Sequence, residues 1–192
     1  MAELKIVEDA KKPLAMNPKK FALWLFIVTV IMIFAALTSA YIVRQAEGNW
    51  FVFDLPQLFW INTGIILASS LTMHWAYLSA KRDNLETVKT ATIITTVLGL
   101  AFLVGQYMAW GSLVASKVYF VGNPSGSFVY VLSGLHGLHI VGGVVFLLIL
   151  LGSTWKYKVH SKNLNLIEMC ATYWHFLGGL WLYLFVFLLL NR

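Results

Sequence analysis

Five long apolar runs, near residues 21–43, 57–79, 90–113, 128–152 and 164–190, constrain this chain more than any other feature. An α-helix rises 1.5 Å per residue and a bilayer's hydrocarbon core is about 30 Å thick, so about 20 apolar residues cross it. Backbone groups in hydrocarbon need partners within the segment, which makes each run a helix. A barrel would need strands of about ten residues with a period of two, and the runs have no such alternation. The expected fold is therefore all-α: an integral membrane bundle of five transmembrane helices. Residues 1–20 read as a basic tail and 21–192 as the membrane unit.

Apolar residues of the AVILMFWYC set make up 59% of the chain and charged residues 11%, well under the roughly 25% of soluble proteins. The net charge of +6 is confined to short clusters between the apolar runs, so it forms no basic face for nucleic acid. The single cysteine, Cys170, cannot form an internal disulfide. The first run is longer than the core of a signal peptide and no A-x-A site follows it, so no cleaved leader is expected.

Loop charges set an orientation. Lys5, Lys11, Lys12, Lys19, Lys20, Lys81, Arg82, Lys89, Lys156, Lys158 and Lys162 fall on one side, and Arg44, Lys117 and Arg192 on the other. Eleven against three places the N-terminus in the cytoplasm and the C-terminus outside. Pro56 stands at a helix start, and residues 122–126 (Gly-Asn-Pro-Ser-Gly) break the chain before the fourth run. Trp50, Tyr77, Trp155 and Tyr157 lie where interface anchors are expected.

Ionisable groups inside spans are functional candidates by default. Here they are His74, His136, His139, His175 and Glu168, with neutral Gln106. His136 and His139 share a face of the fourth helix, and His139 and His175 lie at similar depth, so those two could meet if their helices are neighbours. A metal or haem is the sharp reading of such a cluster, but no carboxylate lies at that depth and no Cys-x-x-Cys-His occurs. Interhelical packing is the preferred reading, with no metal site and no catalytic set expected. Gly142, Gly143, Gly178 and Gly179 are candidates for close helix packing. Glu168 either snorkels to the interface or is buried against a histidine or a partner chain. A small transporter or channel, or a diiron hydroxylase, is a weaker reading, because the spans carry few polar groups and too few ligands.

Two segments carry a resemblance. One is Ser133-Gly-Leu-His136-Gly-Leu-His139-Ile-Val-Gly142-Gly143; the other is Glu168-Met-Cys-Ala-Thr-Tyr-Trp174-His175-Phe176, followed by Trp181. Together they resemble the two signature helices of subunit III of haem–copper terminal oxidases. Phe21-Ala-Leu-Trp24 to Ala40-Tyr41, and Gly99 to Trp110 with Gln106, are similar to other helices of that family, in order along the chain. The resemblance is to the short, five-helix bacterial form. It implies a non-catalytic accessory subunit in a bacterial inner membrane, part of an aerobic electron-transport complex that reduces oxygen and pumps protons. It implies haem and copper in catalytic subunit I and a neighbouring subunit II rather than in this chain. It also implies structural phospholipid and a place near proton uptake, and leaves membership of a respiratory supercomplex open. Quinol oxidases and nitric-oxide-reductase systems have equivalent subunits. By resemblance, His136, His139, Glu168, Trp174, His175 and Trp181 are assigned to packing and partner contact. Val30, Ala109 and Gly178 stand where the family often has acidic residues, which puts any proton-linked role of those positions in doubt.

Overall fold

Asparagine caps and prolines mark the starts of the first four helices. The structure, a computed structural model, describes residues 17–155 and 164–191. Lys5, Lys11, Lys12, Lys156, Tyr157, Lys158, Lys162 and Arg192 therefore lie outside the described residues. Helix α1 is Pro18–Ala46; Asn17 caps it by accepting a bond from the Lys19 amide at 3.0 Å, and Pro18 occupies the first turn. Helix α2 is Gln57–Lys81 and follows Pro56. Asn84 caps α3, Leu85–Ala115, accepting from the Thr87 amide at 3.3 Å. Helix α4 is Pro124–Trp155 and α5 is Asn165–Leu190.

Four of the five, α1, α3, α4 and α5, are long and apolar enough to cross a membrane. Helix α2 has the length, but Asn62, Thr63, Ser69, Ser70, Thr72 and His74 dilute its hydropathy. Helices α3 and α4 outrun the apolar segments that announced them. Lipid thickness limits the apolar run, whereas the capping residue limits the helix. Pro124, Ser125 and Gly126, read as a break, instead form the first turn of α4, where proline's fixed φ and missing N–H do no harm.

The helices run alternately up and down. Lys20 meets Glu168 at one end of the pair α1 and α5, and Tyr41 donates to the Asn191 carbonyl at 2.9 Å at the other, so these two are parallel. Lys19, Lys20, Lys81, Arg82 and Lys89 collect at the first of these ends, here called the basic end; Arg44 and Lys117 are at the opposite one. Helix α5 packs on α2, α4 and α1; α1 reaches only α4 and α5; α2 and α3 form a close hairpin. The core is the inner face of α5 with the faces turned toward it, and much of the outer surface of α1 is exposed apolar side chain, Trp24 and Met32 among it.

At the end opposite the basic one, the α1–α2 connection is fastened to the start of α4. Ser125 Oγ donates to the Phe51 carbonyl at 2.8 Å and Asn123 Nδ2 to the Asn49 carbonyl at 3.3 Å. Trp50 packs edge-on against Tyr41 with ring centroids 4.6 Å apart, which makes it a half-buried loop fastener. Trp155, by contrast, is 59% exposed at its helix end, as an interface anchor should be.

Candidate functional site

Trp174 and Trp181 are seven residues apart, two helical turns, and so lie on one face of α5. Each is 1% exposed and each touches three other helices. The Trp174 indole donates to Ser69 Oγ of α2 at 3.0 Å. Its ring lies between Gly99 of α3, where an added Cβ would come within 2.7 Å of it, and Gly143 of α4, where the distance would be 3.0 Å. Two turns on, Trp181 donates to Thr63 Oγ1 of α2 at 3.0 Å. It stacks on Phe59 of α2, meets Phe102 of α3 edge-on at 4.9 Å, and lies 5.1 Å from the His136 ring of α4. A buried indole needs one acceptor for its N–H, and α2 supplies one at each level.

The histidines are not a cluster. Three residues turn a helix through about 300°, leaving the side chains of His136 and His139 about 60° apart in azimuth. That difference sends His136 inward, fully buried against Phe102 and Trp181. His139 faces α1 instead, where its ring lies 5.8 Å from Phe34 and 6.3 Å from Phe26. Its Nδ1 donates to the Leu135 carbonyl at 2.7 Å, and Tyr173 of α5 donates to its backbone carbonyl at 3.3 Å. The expected meeting of His139 with His175 does not occur. Their helices are neighbours, but His175 points to α2, sharing a 3.0 Å hydrogen bond with Ser70 Oγ and lying 6.0 Å from the His74 ring.

His74, Tyr77, Glu168, Ala171, Thr172 and His175 line an open groove between α2 and α5, about 390 Å³ in volume, near the basic end. Glu168 is only part-buried and forms the floor of that end. It pairs with Lys20 of α1, 148 residues away in sequence, and accepts from the Tyr77 hydroxyl at 3.4 Å. Lys81 lies 4.5 Å above the Tyr77 ring, extending the polar chain to the helix end. Lys20, Trp24, Glu168 and Thr172 line a second recess of about 200 Å³ on the α1 side.

The four candidate glycines divide. Gly143 and Gly178 are buried and tightly met, Gly178 by Ser70 Oγ at 3.2 Å from its would-be Cβ. Gly142 and Gly179 are exposed; the first approaches only the Tyr173 hydroxyl at 3.8 Å and the second nothing within 4 Å. Adjacent residues on a helix point about 100° apart, so neighbouring glycines cannot both face one partner. Val30 and Ala109 are buried among apolar neighbours, where a carboxylate would need a counter-charge.

Chemically, the arrangement positions helices and leaves polar recesses on both sides of Glu168. Among the described residues no group of three or more His, Cys, Asp and Glu side chains converges as a metal site would require. Sequence reasoning missed Ser69 and Thr63 as acceptors, Ser70 and His74 as partners of His175, and Lys20 as the partner of Glu168. A trace was there: small hydroxyls six residues apart on α2 opposite tryptophans seven apart on α5.

The family model for cytochrome c oxidase subunit III matches residues 7–191. The chain is similar to "Cytochrome c oxidase subunit 3" of Rattus norvegicus, 28% identical over 191 residues, covering 91% of this chain and 70% of that protein. It is similar to "Cytochrome bo(3) ubiquinol oxidase subunit 3" of Buchnera aphidicola, 26% identical over 181 residues, covering 91% of this chain and 95% of that protein. "Probable cytochrome c oxidase subunit 3" of Mycobacterium leprae is 29% identical over 164 residues, covering 81% of this chain and 79% of that protein.

Proposed function

Because the chain belongs to the cytochrome c oxidase subunit III family, we propose that it is the non-catalytic accessory subunit of a haem–copper terminal oxidase of the cytochrome c oxidase type and braces the catalytic subunit. The observation that carries this is where the signature residues go. Trp174, Trp181, His136 and His139 all pack one helix against another, and none is aimed at a common reaction centre. A protein whose most distinctive side chains rigidify it, and whose outer faces are apolar, suits a brace in a membrane complex.

On this reading α2 is the fifth span, its buried polar residues satisfied by α3 and α5. The basic end faces the cytoplasm, in keeping with the positive-inside rule, and the membrane is the bacterial inner membrane. Haem and copper reside in catalytic subunit I and its neighbour subunit II; this chain binds neither and holds at most structural phospholipid. A reporter fused after Arg192 is active only outside the cytoplasm if this orientation holds.

The decisive experiment removes this chain from the purified oxidase and follows turnover. The expected result is an unchanged initial rate with faster inactivation or poorer assembly. Assembly, initial rate and inactivation rate all equal to those of the intact complex would refute bracing. A quinol oxidase is the second reading, supported by the Buchnera relative, which this chain covers almost end to end. A nitric-oxide-reductase system is the third. Detecting or failing to detect a copper-bearing subunit II in the purified complex separates the first two.

A further inference from the structure

His136 is fully buried in α4, yet neither ring nitrogen has a hydrogen-bond partner among the described residues. A neutral imidazole carries one N–H donor and one bare acceptor, so both needs are open. Two nearby amides are in a similar state. Asn62 Nδ2 of α2 donates to Gln106 Oε1 of α3 at 3.4 Å, which leaves Asn62 Oδ1 and Gln106 Nε2 without partners. All three side chains are sealed, at 0%, 2% and 0% exposure for Asn62, Gln106 and His136, so neither lipid nor another subunit reaches them. An orphaned buried polar group is destabilising, so each of these calls for an internal partner.

An independent observation supplies the room. Gly137, beside His136, is buried, yet a Cβ built on it would meet nothing within 4 Å. The other buried glycines, Gly99, Gly126, Gly143 and Gly178, all meet a neighbour within that distance. The helix register says what borders this space. Trp110 of α3 donates to Ser133 Oγ of α4 at 2.9 Å, and the two helices are antiparallel. One turn along α4 from Ser133 is Gly137; one turn back along α3 from Trp110 is Gln106. A further turn back is Phe102, already against the His136 ring at 5.8 Å. The space beside Gly137 is thus bordered by Gln106 on one helix and His136 on the other.

We infer that this space holds an internal water molecule, which accepts from Gln106 Nε2 and bonds to a ring nitrogen of His136, joining α3 to α4 beneath Trp181. The ligand is neutral and both donates and accepts, because the bordering groups are uncharged and offer both donor and acceptor. Buried waters typically make about three such bonds. This inference stands whatever complex the chain belongs to.

The sign of a substitution tests it. Gly137→Ala puts a methyl into the space; Gly137→Ser puts a hydroxyl there. If the space is wet, Ala expels the water and lowers the melting midpoint of the full chain in mild detergent, while Ser replaces the water and stays nearer the parent. That order opposes intrinsic helix propensity, which ranks Ala above Ser. An Ala variant as stable as the Ser variant, or more so, means a dry void and overturns the inference. Should the variants fail to accumulate, a density map of the unaltered protein at a resolution showing ordered water decides. A peak within hydrogen-bond reach of both Gln106 and His136 supports the site, and a clear map without one refutes it.

Discussion

Helix α5 presents two faces with opposite treatments of polarity. On the inner face the two tryptophans are sealed, and each donor has an acceptor on α2. On the groove face, Glu168 and His175 are only part-buried, and with His74 they look out between α2 and α5. The first face finishes its accounts within the chain. The second leaves polar groups at the surface of an apolar bundle, where lipid tails offer them nothing. The contrast separates residues whose hydrogen bonds close inside the bundle from residues left part-exposed at its groove.

The contrast can be broken by mutation, and the sealed face should give the larger effects. Trp174→Ala removes the ring clamped between Gly99 and Gly143 and frees Ser69. A loss of about 3–5 kcal/mol is expected for such a truncation, read as collapse of accumulated chain and of the melting midpoint. Gly143→Leu, which drives a side chain into Trp174 and Leu177, should cost about 1–3 kcal/mol or more. If both variants behave like the parent, the inner face does not organise the bundle. Trp181→Phe keeps an aromatic ring but removes the donor to Thr63, whose hydroxyl still bonds the Phe59 carbonyl at 2.8 Å. About 1 kcal/mol is expected, seen as a modest drop in midpoint.

The groove should respond differently. Lys20 and Glu168 are each about a third exposed, so Glu168→Gln should change the chain's own stability by under about 1 kcal/mol. Its larger effect should appear as weaker retention of co-purifying subunits or lipid. A fold loss matching that of Trp174→Ala would erase the distinction between the faces. The smallest effect is expected at Gly179, where alanine meets open space and should stay within about 0.5 kcal/mol of the parent. Gly178→Ala is the sharpening control, since its methyl presses on Ser70 and through it on His175.

Read alone, the sequence yields a set of long apolar helices, roughly where they lie, and the histidines, Glu168 and tryptophans as candidate residues. Those are properties of one helix at a time: hydropathy sets length, and spacing sets which side chains share a face. Packing alone makes His136 and His139 part company, turns His175 to His74 rather than His139, and brings Glu168 to Lys20 across the bundle. It also decided which glycine of each adjacent pair is pressed and which is free. The physical reason is that a helix's rotation about its own axis is set by packing against its neighbours, and a difference of some 60° to 100° changes every partner a side chain has.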